Sequence, residues 1–309
     1  MKAPLFYSKI LLFGEYGIIE DSKGLSIPFN FFKGGLRIGD MSELIEKESN
    51  LNLKKFRDYL LKIEISTVEF DFEKLNLDLN KGMFFDSSIP QGYGVGSSGA
   101  LVAAFYDRYA INKITVLENL TKSKILVLKN IFSTMESFFH GKSSGLDPLN
   151  SYLSLPILIH SKNEVETTGI PSQESKGKGA VFLLDSGKSS DTAPMVDLFF
   201  KSIKNKNYNK MIQEEFIKTT DNCVDDFLNG NFNSLFKNIK VLSKVVLKNF
   251  KPMIPENFHN IWAKGIESDE YFLKLCGSGG GGYILGFAKD FKKAQKSLND
   301  FDLEVVYNF

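Results

Sequence analysis

The sequence predicts an α+β protein built as two domains. Three observations carry that prediction. Segments with strand alternation and segments with helical spacing are mixed, without the regular strand–helix–strand alternation of a doubly wound sheet. The chain has 309 residues, enough for two medium domains or one large one. A polar, breaker-rich run from Thr167 to Gly179 interrupts it just past the middle and divides residues 1–172 from residues 173–309.

The elements follow in order. Leu5 to Ile19 reads as a strand centred on Ile10-Leu11-Leu12-Phe13, with Gly14 and Gly17 as breakers. Leu25 to Phe32 and Gly35 to Ile38 read as two further short strands. Asp40 to Leu61 has helical spacing with a break near Asn50. Lys62 to Leu79 alternates like a strand pair, Asn80-Lys81-Gly82 is a turn, and Met83 to Ser87 is a strand. Helical spacing returns from Ser98 and again over Thr121 to His140, stopping at Gly141. Leu146 to Ile159 reads as apolar and strand-rich around Pro148 and Pro156. After the divide come a strand (Ala180 to Asp185), a mainly helical stretch (Thr192 to Phe250) and two strands (Tyr271 to Cys276, Tyr283 to Phe287) around a glycine run. A helix (Asp290 to Leu298) and a last strand (Leu303 to Tyr307) close the chain.

Composition narrows the function classes. Hydrophobic residues are 43% of the chain, which excludes a disordered protein. Lys+Arg 38 against Asp+Glu 37 leaves a net charge of +1, without the basic excess of a nucleic-acid surface. Cys223 and Cys276 have no CxxC spacing, and His140, His160 and His259 have neither HExxH nor HxH spacing. A zinc site or a disulfide framework is therefore not indicated. Met1 to Ile19 has the length of a leader peptide, but Lys9 and Glu15 interrupt its apolar run and no small-residue cleavage site follows. No apolar run reaches the ~18 residues of a membrane span. The expectation is a cytoplasmic protein with neither membrane nor nucleic acid as partner.

The most informative stretch is Ser88-Ile-Pro-Gln-Gly-Tyr-Gly-Val-Gly-Ser-Ser-Gly-Ala100. Glycines let backbone N–H groups turn toward a bulky anion, and the helix that follows adds unpaired donors and about half a positive charge. Gly94 to Gly99 is a literal GxGxxG, yet it lies mid-chain, and Glu118 sits in a helical-looking segment rather than at a strand end. A Walker A loop is absent, because Glu136 stands where Gly141-Lys142-Ser143 would need an upstream glycine. The alternatives are a third kind of phosphate cradle and a tight structural turn. Ser98 either caps the helix or coordinates Mg²⁺.

Three further constellations stand out. Glu136 lies near the end of an apolar helix, where a carboxylate opposes the dipole and a hard cation would offset the cost. Asp147 precedes Pro148, which restrains it toward an extended form, and a fixed carboxylate there would accept a hydroxyl proton. The bland alternative is a solvated helix-end Glu and an Asx turn. Lys9, inside an apolar strand, either points out of the sheet or meets a carboxylate, with Asp147 a fitting partner. The run Gly277 to Gly282, five glycines in six residues between apolar strands, indicates close backbone approach to something.

In this order the residues resemble the GHMP small-molecule kinases. Lys9-Ile-Leu-Leu-Phe-Gly-Glu-Tyr16 looks like the family's first motif, Pro90 to Gly99 like its phosphate loop, and Lys274-Leu-Cys-Gly-Ser-Gly-Gly-Gly-Gly282 like its third. The stretch Glu136…His140-Gly-Lys-Ser-Ser-Gly-Leu-Asp147 is most similar to the mevalonate kinases. The resemblance implies a ribosomal-protein-S5-type N-terminal domain and a ferredoxin-like C-terminal domain, with the site in the cleft between them. It implies ATP and Mg²⁺ as cofactors and mevalonate as the alcohol, phosphorylated for isoprenoid precursor synthesis. A homodimer is compatible with it.

By the same resemblance Asp147 and Lys9 are catalytic, and Ser98 and Glu136 hold the metal. Pro90, Gly92, Gly94, Gly96, Ser97, Ser98, Gly99 and Ser186 hold the nucleotide. Glu15, Tyr16, Gly277, Ser278 and Gly279 lie toward the substrate. The chain departs from the family at Tyr7-Ser8 (usually Pro-Gly), at Tyr16 (usually His in mevalonate kinases) and at Gly99-Ala100 (usually Ala-Ala). Rival activities are a phosphomevalonate, sugar or homoserine kinase, a diphosphomevalonate decarboxylase, and a nucleotide-binding regulator without turnover.

Overall fold

A computed structural model describes residues 4–117, 120–174 and 177–309. Glu118 lies outside the described residues, as do Ser175 and Lys176 of the run expected to divide the domains. The chain forms two compact units, each drawn from separated segments. The first comprises Met1–Lys9, Ile27–Gln91 and Gly96–Leu155; the second comprises Ile10–Ser26, Gly92–Val95 and Pro156–Phe309. Strands β1 (Phe6–Phe13) and β2 (Gly24–Ile38) each run from one unit into the other.

In the first unit β2 is one strand where two were expected. Gly34 and Gly35 sit inside it, opposite Ser87 and Asp86 of antiparallel β3 (Met83–Ser87). A Cβ on Gly34 would come within 2.5 Å of the Phe85 ring, so the glycine admits a neighbouring side chain rather than breaking the strand. Helix α1 (Leu44–Leu60) continues through Asn50, whose buried amide donates to the carbonyls of Leu79 and Met83 at 3.0 and 2.7 Å.

The strand pair expected over 62–79 is absent; its second half is helix α2 (Phe72–Asn80). The Asp71 carboxylate caps it by accepting from the Lys74 N–H. Leu75, Leu77 and Leu79 alternate as in a strand, but Leu75 and Leu79, four apart, are buried while Leu77 is 60% exposed.

Three helices complete this unit: α3 (Ser97–Tyr109), α4 (Lys122–His140) and α5 (Leu146–Leu153). Tyr106 of α3, Phe132 of α4 and Tyr152 of α5 meet edge to face with centroids 5.1 to 5.6 Å apart. Helix α5 corrects the strand-rich reading of 146–159, and it places Asp147 in a helical first turn rather than on extended backbone. Pro148 is tolerated there because first-turn N–H groups have no intrahelical acceptor to lose. Gly145 lets α5 start against α4, since a Cβ there would lie 2.1 Å from the Lys129 carbonyl oxygen.

In the second unit, hairpin β4 (Ile157–Ser161) and β5 (Glu164–Thr167) pairs through β4 with Gly24–Ser26 of β2. The rest is β6 (Ala180–Asp185), a helical block, β7 (Phe272–Leu275), β8 (Tyr283–Ala288), α11 (Phe291–Ser297) and β9 (Leu303–Asn308). The block holds α6 (Thr192–Ser202), α7 (Lys206–Met211), α8 (Lys218–Leu228), α9 (Phe232–Asn249) and α10 (His259–Ser268), with a π-helical stretch, Ile212–Ile217, between α7 and α8. Strands β6 to β9 form one antiparallel sheet in the order β7-β8-β6-β9, the split β-α-β-β-α-β arrangement of ferredoxin-like folds. Phe13 anchors this core on Phe227 and Phe287, with Phe227 in turn on Tyr307. Among the described residues no helix is long and apolar enough to cross a membrane.

Candidate functional site

In the first unit, four residues distant in sequence meet around the N-terminus of α3. Gly96, at φ +83°, is the N-cap of that helix, and no side chain caps it. The first-turn N–H groups thus have no side-chain cap, and they carry the positive end of the helix dipole. Lys9 reaches from β1 to place Nζ 3.2 Å from Asp147 Oδ1. Its side chain is 5% exposed and that of Asp147 35%, so the pair has a buried and an open end. The glycines of the loop fit this pair. A Cβ on Gly96 would lie 3.1 Å from Lys9 Cγ and 3.6 Å from Asp147 Oδ2. One on Gly99 would lie 2.7 Å from the Asp147 carbonyl carbon, so a larger residue there would collide with the start of α5.

Beside the pair lies a second group. The Ser98 hydroxyl donates to Glu136 Oε1 at 2.9 Å, and the Ser143 hydroxyl donates to Glu136 Oε2. This sets aside the capping alternative for Ser98. His140 Nε2 lies 3.0 Å from Ser98 Oγ. When the Ser98 proton goes to Glu136, the serine oxygen accepts from a His140 protonated at Nε2. Glu136 is buried, and its carboxyl is pushed up to about 8, first by burial and next by the charge of Asp147. The two serine hydroxyls and Lys9 pull it back only in part.

This donor set fits Mg²⁺. A buried carboxylate held by hydroxyls, yet still driven toward its neutral form, is short of positive charge. Among the described residues no cluster of three or more His, Cys, Asp or Glu side chains forms a cage. Mg²⁺ asks for no such cage, because it keeps waters and binds through one or two carboxylates plus phosphate oxygens.

The second unit holds the glycine run and the stretch Gly92–Val95, and these two pack backbone to backbone. A Cβ on Gly94 would lie 2.4 Å from the Cys276 carbonyl oxygen; one on Gly282 would lie 2.6 Å from Tyr93 Cα. What the glycine run approaches is therefore this stretch. Gly92, Gly94, Gly277 and Gly279 all take positive φ, between +74° and +77°. Ser186 follows β6; its hydroxyl donates to the Lys188 carbonyl at 3.1 Å and its N–H to that of Gly282 at 3.0 Å. Glu15 and Tyr16 are buried in this unit, Glu15 paired with Lys274 and Tyr16 donating its hydroxyl to the Ser278 carbonyl. Pro90 is half-buried at the end of the first unit's segment, and Ser97 opens α3.

Sequence reasoning missed His140 and Ser143. For His140 a signal existed, since it lies four residues after Glu136 and so on the same helical face. Ser143 lies past the helix end, and no periodicity points to it.

Residues 58–154 match the family model described as GHMP kinases N terminal domain. No curated protein sequence matches this chain. Several solved structures share its fold. The L. major mevalonate kinase in complex with R-mevalonate is 16% identical, covers 100% of this chain and 96% of its own, and has a TM-score of 0.65. The Methanococcus jannaschii mevalonate kinase is 19% identical, with 100% and 98% covered and a TM-score of 0.61. The Streptococcus pneumoniae phosphomevalonate kinase, in complex with phosphomevalonate and AMPPNP, is 15% identical, with 99% of each chain covered and a TM-score of 0.66.

Proposed function

We propose that this chain, which carries a GHMP kinase N-terminal domain and has the GHMP kinase fold, transfers the terminal phosphoryl group of ATP to a small-molecule alcohol, mevalonate first among the candidates. The observation that carries this reading is the meeting of Lys9, Ser98, Glu136 and Asp147 at an uncapped helix N-terminus. Phosphoryl transfer asks a protein for positioning and charge stabilisation, and this cluster offers both.

In this reading the open side of Asp147 takes the proton from the attacking hydroxyl. Lys9 orients that carboxylate and sets an ammonium beside the developing alkoxide. The first-turn N–H groups of α3, opened by Gly96 at its N-cap, receive phosphate oxygens. Glu136 and Ser98 would hold Mg²⁺, which when bound neutralises phosphate oxygens. Residues 1–172 would then carry the phosphate loop and reacting groups, and residues 173–309 the third motif.

Coupled ADP release with mevalonate, phosphomevalonate, galactose and homoserine in parallel tests it. Mg²⁺-dependent ADP formation with mevalonate is expected. Turnover of another alcohol alone would move the substrate assignment, and nucleotide binding without ADP from any of them would end the kinase reading.

A further inference from the structure

We infer that Glu15, Tyr16 and Lys274 form a buried clamp that holds the Gly277–Gly282 loop, and through it Gly92–Val95, in the shape that receives a nucleotide phosphate. They are positioning residues, not substrate contacts. The word nucleotide rests on the kinase reading above; the clamp rests on geometry alone.

Lys274 Nζ lies 2.5 Å from Glu15 Oε1, with side chains 3% and 6% exposed. Such a pair is a poor source of net stability, because desolvation consumes most of the attraction, and two apolar side chains would serve the fold as well. What an ion pair adds is direction. Lys274 donates a second bond to the Leu275 carbonyl at 2.8 Å, at the strand end that runs into the loop. Tyr16 grips the other side of Gly277, donating to the Ser278 carbonyl at 2.5 Å. It does so from φ +61°, a conformation a bulky residue rarely adopts, with its ring on Phe199 and Phe250 at 4.8 and 5.8 Å.

The gripped loop is bonded onward. The Gly280 N–H donates to Met253 at 2.6 Å and the Gly282 N–H to Lys188 at 2.5 Å. Its start is the surface on which Gly94 lies, the position of a Gly94 Cβ being 2.4 Å from Cys276 O and 3.5 Å from Gly277 Cα. The space beside the ion pair argues against a substrate role for Glu15. The cavity lined by Glu15, Tyr16, Phe216, Phe250 and Lys274 measures about 10 Å³, room for one water and no more.

The test removes the clamp without stranding a charge. The double variant Glu15→Gln with Lys274→Met leaves no buried ion unpaired, and Tyr16→Phe deletes one hydroxyl while keeping the ring. Two readouts are taken on the full chain: hydrogen exchange of the peptide covering 276–284, and the dissociation constant of a fluorescent ADP analogue. With a cooperative melt retained, exchange in that peptide is expected to quicken about tenfold while peptides of α4 stay unchanged. ADP affinity is expected to fall about tenfold. Should the double variant not fold, Tyr16→Phe carries the same expectations in the same direction. Unchanged exchange in the loop overturns the clamp. Faster exchange with an unchanged ADP dissociation constant overturns its link to the phosphate. A parent protein without ADP affinity would count against the kinase reading, and exchange alone would then decide the clamp.

Discussion

Replacing Glu136 by Gln probes the site through stability before any turnover is measured. The carboxyl is buried and raised from its ordinary 4.5 to about 8, so between these values the folded protein keeps a proton that the unfolded chain releases. The stability of the metal-free protein therefore falls as pH rises through that window. At about 1.4 kcal/mol per pH unit, the loss is about 3 kcal/mol by pH 7 and about 4 kcal/mol by pH 8. Gln has nothing to titrate, and the hydroxyls of Ser98 and Ser143 can both bond its amide.

Urea unfolding with EDTA at pH 5, 6, 7 and 8 measures this. The variant is expected to match the parent within about 1 kcal/mol at pH 5 and to exceed it by about 3 kcal/mol at pH 7. The same variant should lose its response to Mg²⁺ in the ADP-release assay. Parallel pH profiles, or a variant weaker by the same amount at every pH, would refute the reasoning. Either result would mean that the protein alone satisfies an ionised Glu136 and that no cation is called for.

Asp147→Asn should fold and bind ADP as the parent does, while kcat drops at least a hundredfold, about 2.7 kcal/mol of barrier; near-parent kcat would remove Asp147 as proton acceptor. His140→Ala should raise the Mg²⁺ needed for half-maximal rate about tenfold, and His140→Gln, which keeps a nitrogen donor, should recover most of it. An equal effect of both variants would separate His140 from Ser98. Gly94→Ala forces a Cβ to 2.4 Å from the Cys276 carbonyl at φ +77°, and should cost about 1–3 kcal/mol in unfolding experiments together with ADP affinity. A parent-like melt would show that the two glycine stretches part freely.

Much of the fold was legible because strong periodicity survives packing. Helix α4, with Ile125, Leu128, Ile131, Phe132 and Met135 all buried, could hardly be read otherwise. Strands β6 to β9 were bounded by their apolar runs, and five glycines between two of them announced a close approach without naming its object. The misreadings came where period and context compete. Leu75, Leu77 and Leu79 satisfy a two-residue period, and the Asp71 cap decided for a helix. Pro148 argued for extended backbone, yet it sits in a first turn that needs no N–H from it. Leu25 to Phe32 and Gly35 to Ile38 read as two strands, yet one strand runs through Gly34, which makes room for Phe85.

Residue types alone determined the α+β class, the glycine-rich turn before α3, and the roster of charged and hydroxyl groups near it: an ammonium, a hydroxyl and two carboxylates. These follow from local chemistry, since glycine conformations, helix ends and charges act whatever surrounds them. Tertiary structure alone decided who meets whom. It set Lys9 on Asp147, gave both oxygens of Glu136 to serines, brought His140 to Ser98, and spent Glu15 and Tyr16 on Lys274 and Ser278. Those contacts join positions up to 262 residues apart, and side-chain partners at such separations depend on how whole elements pack, which no local pattern encodes.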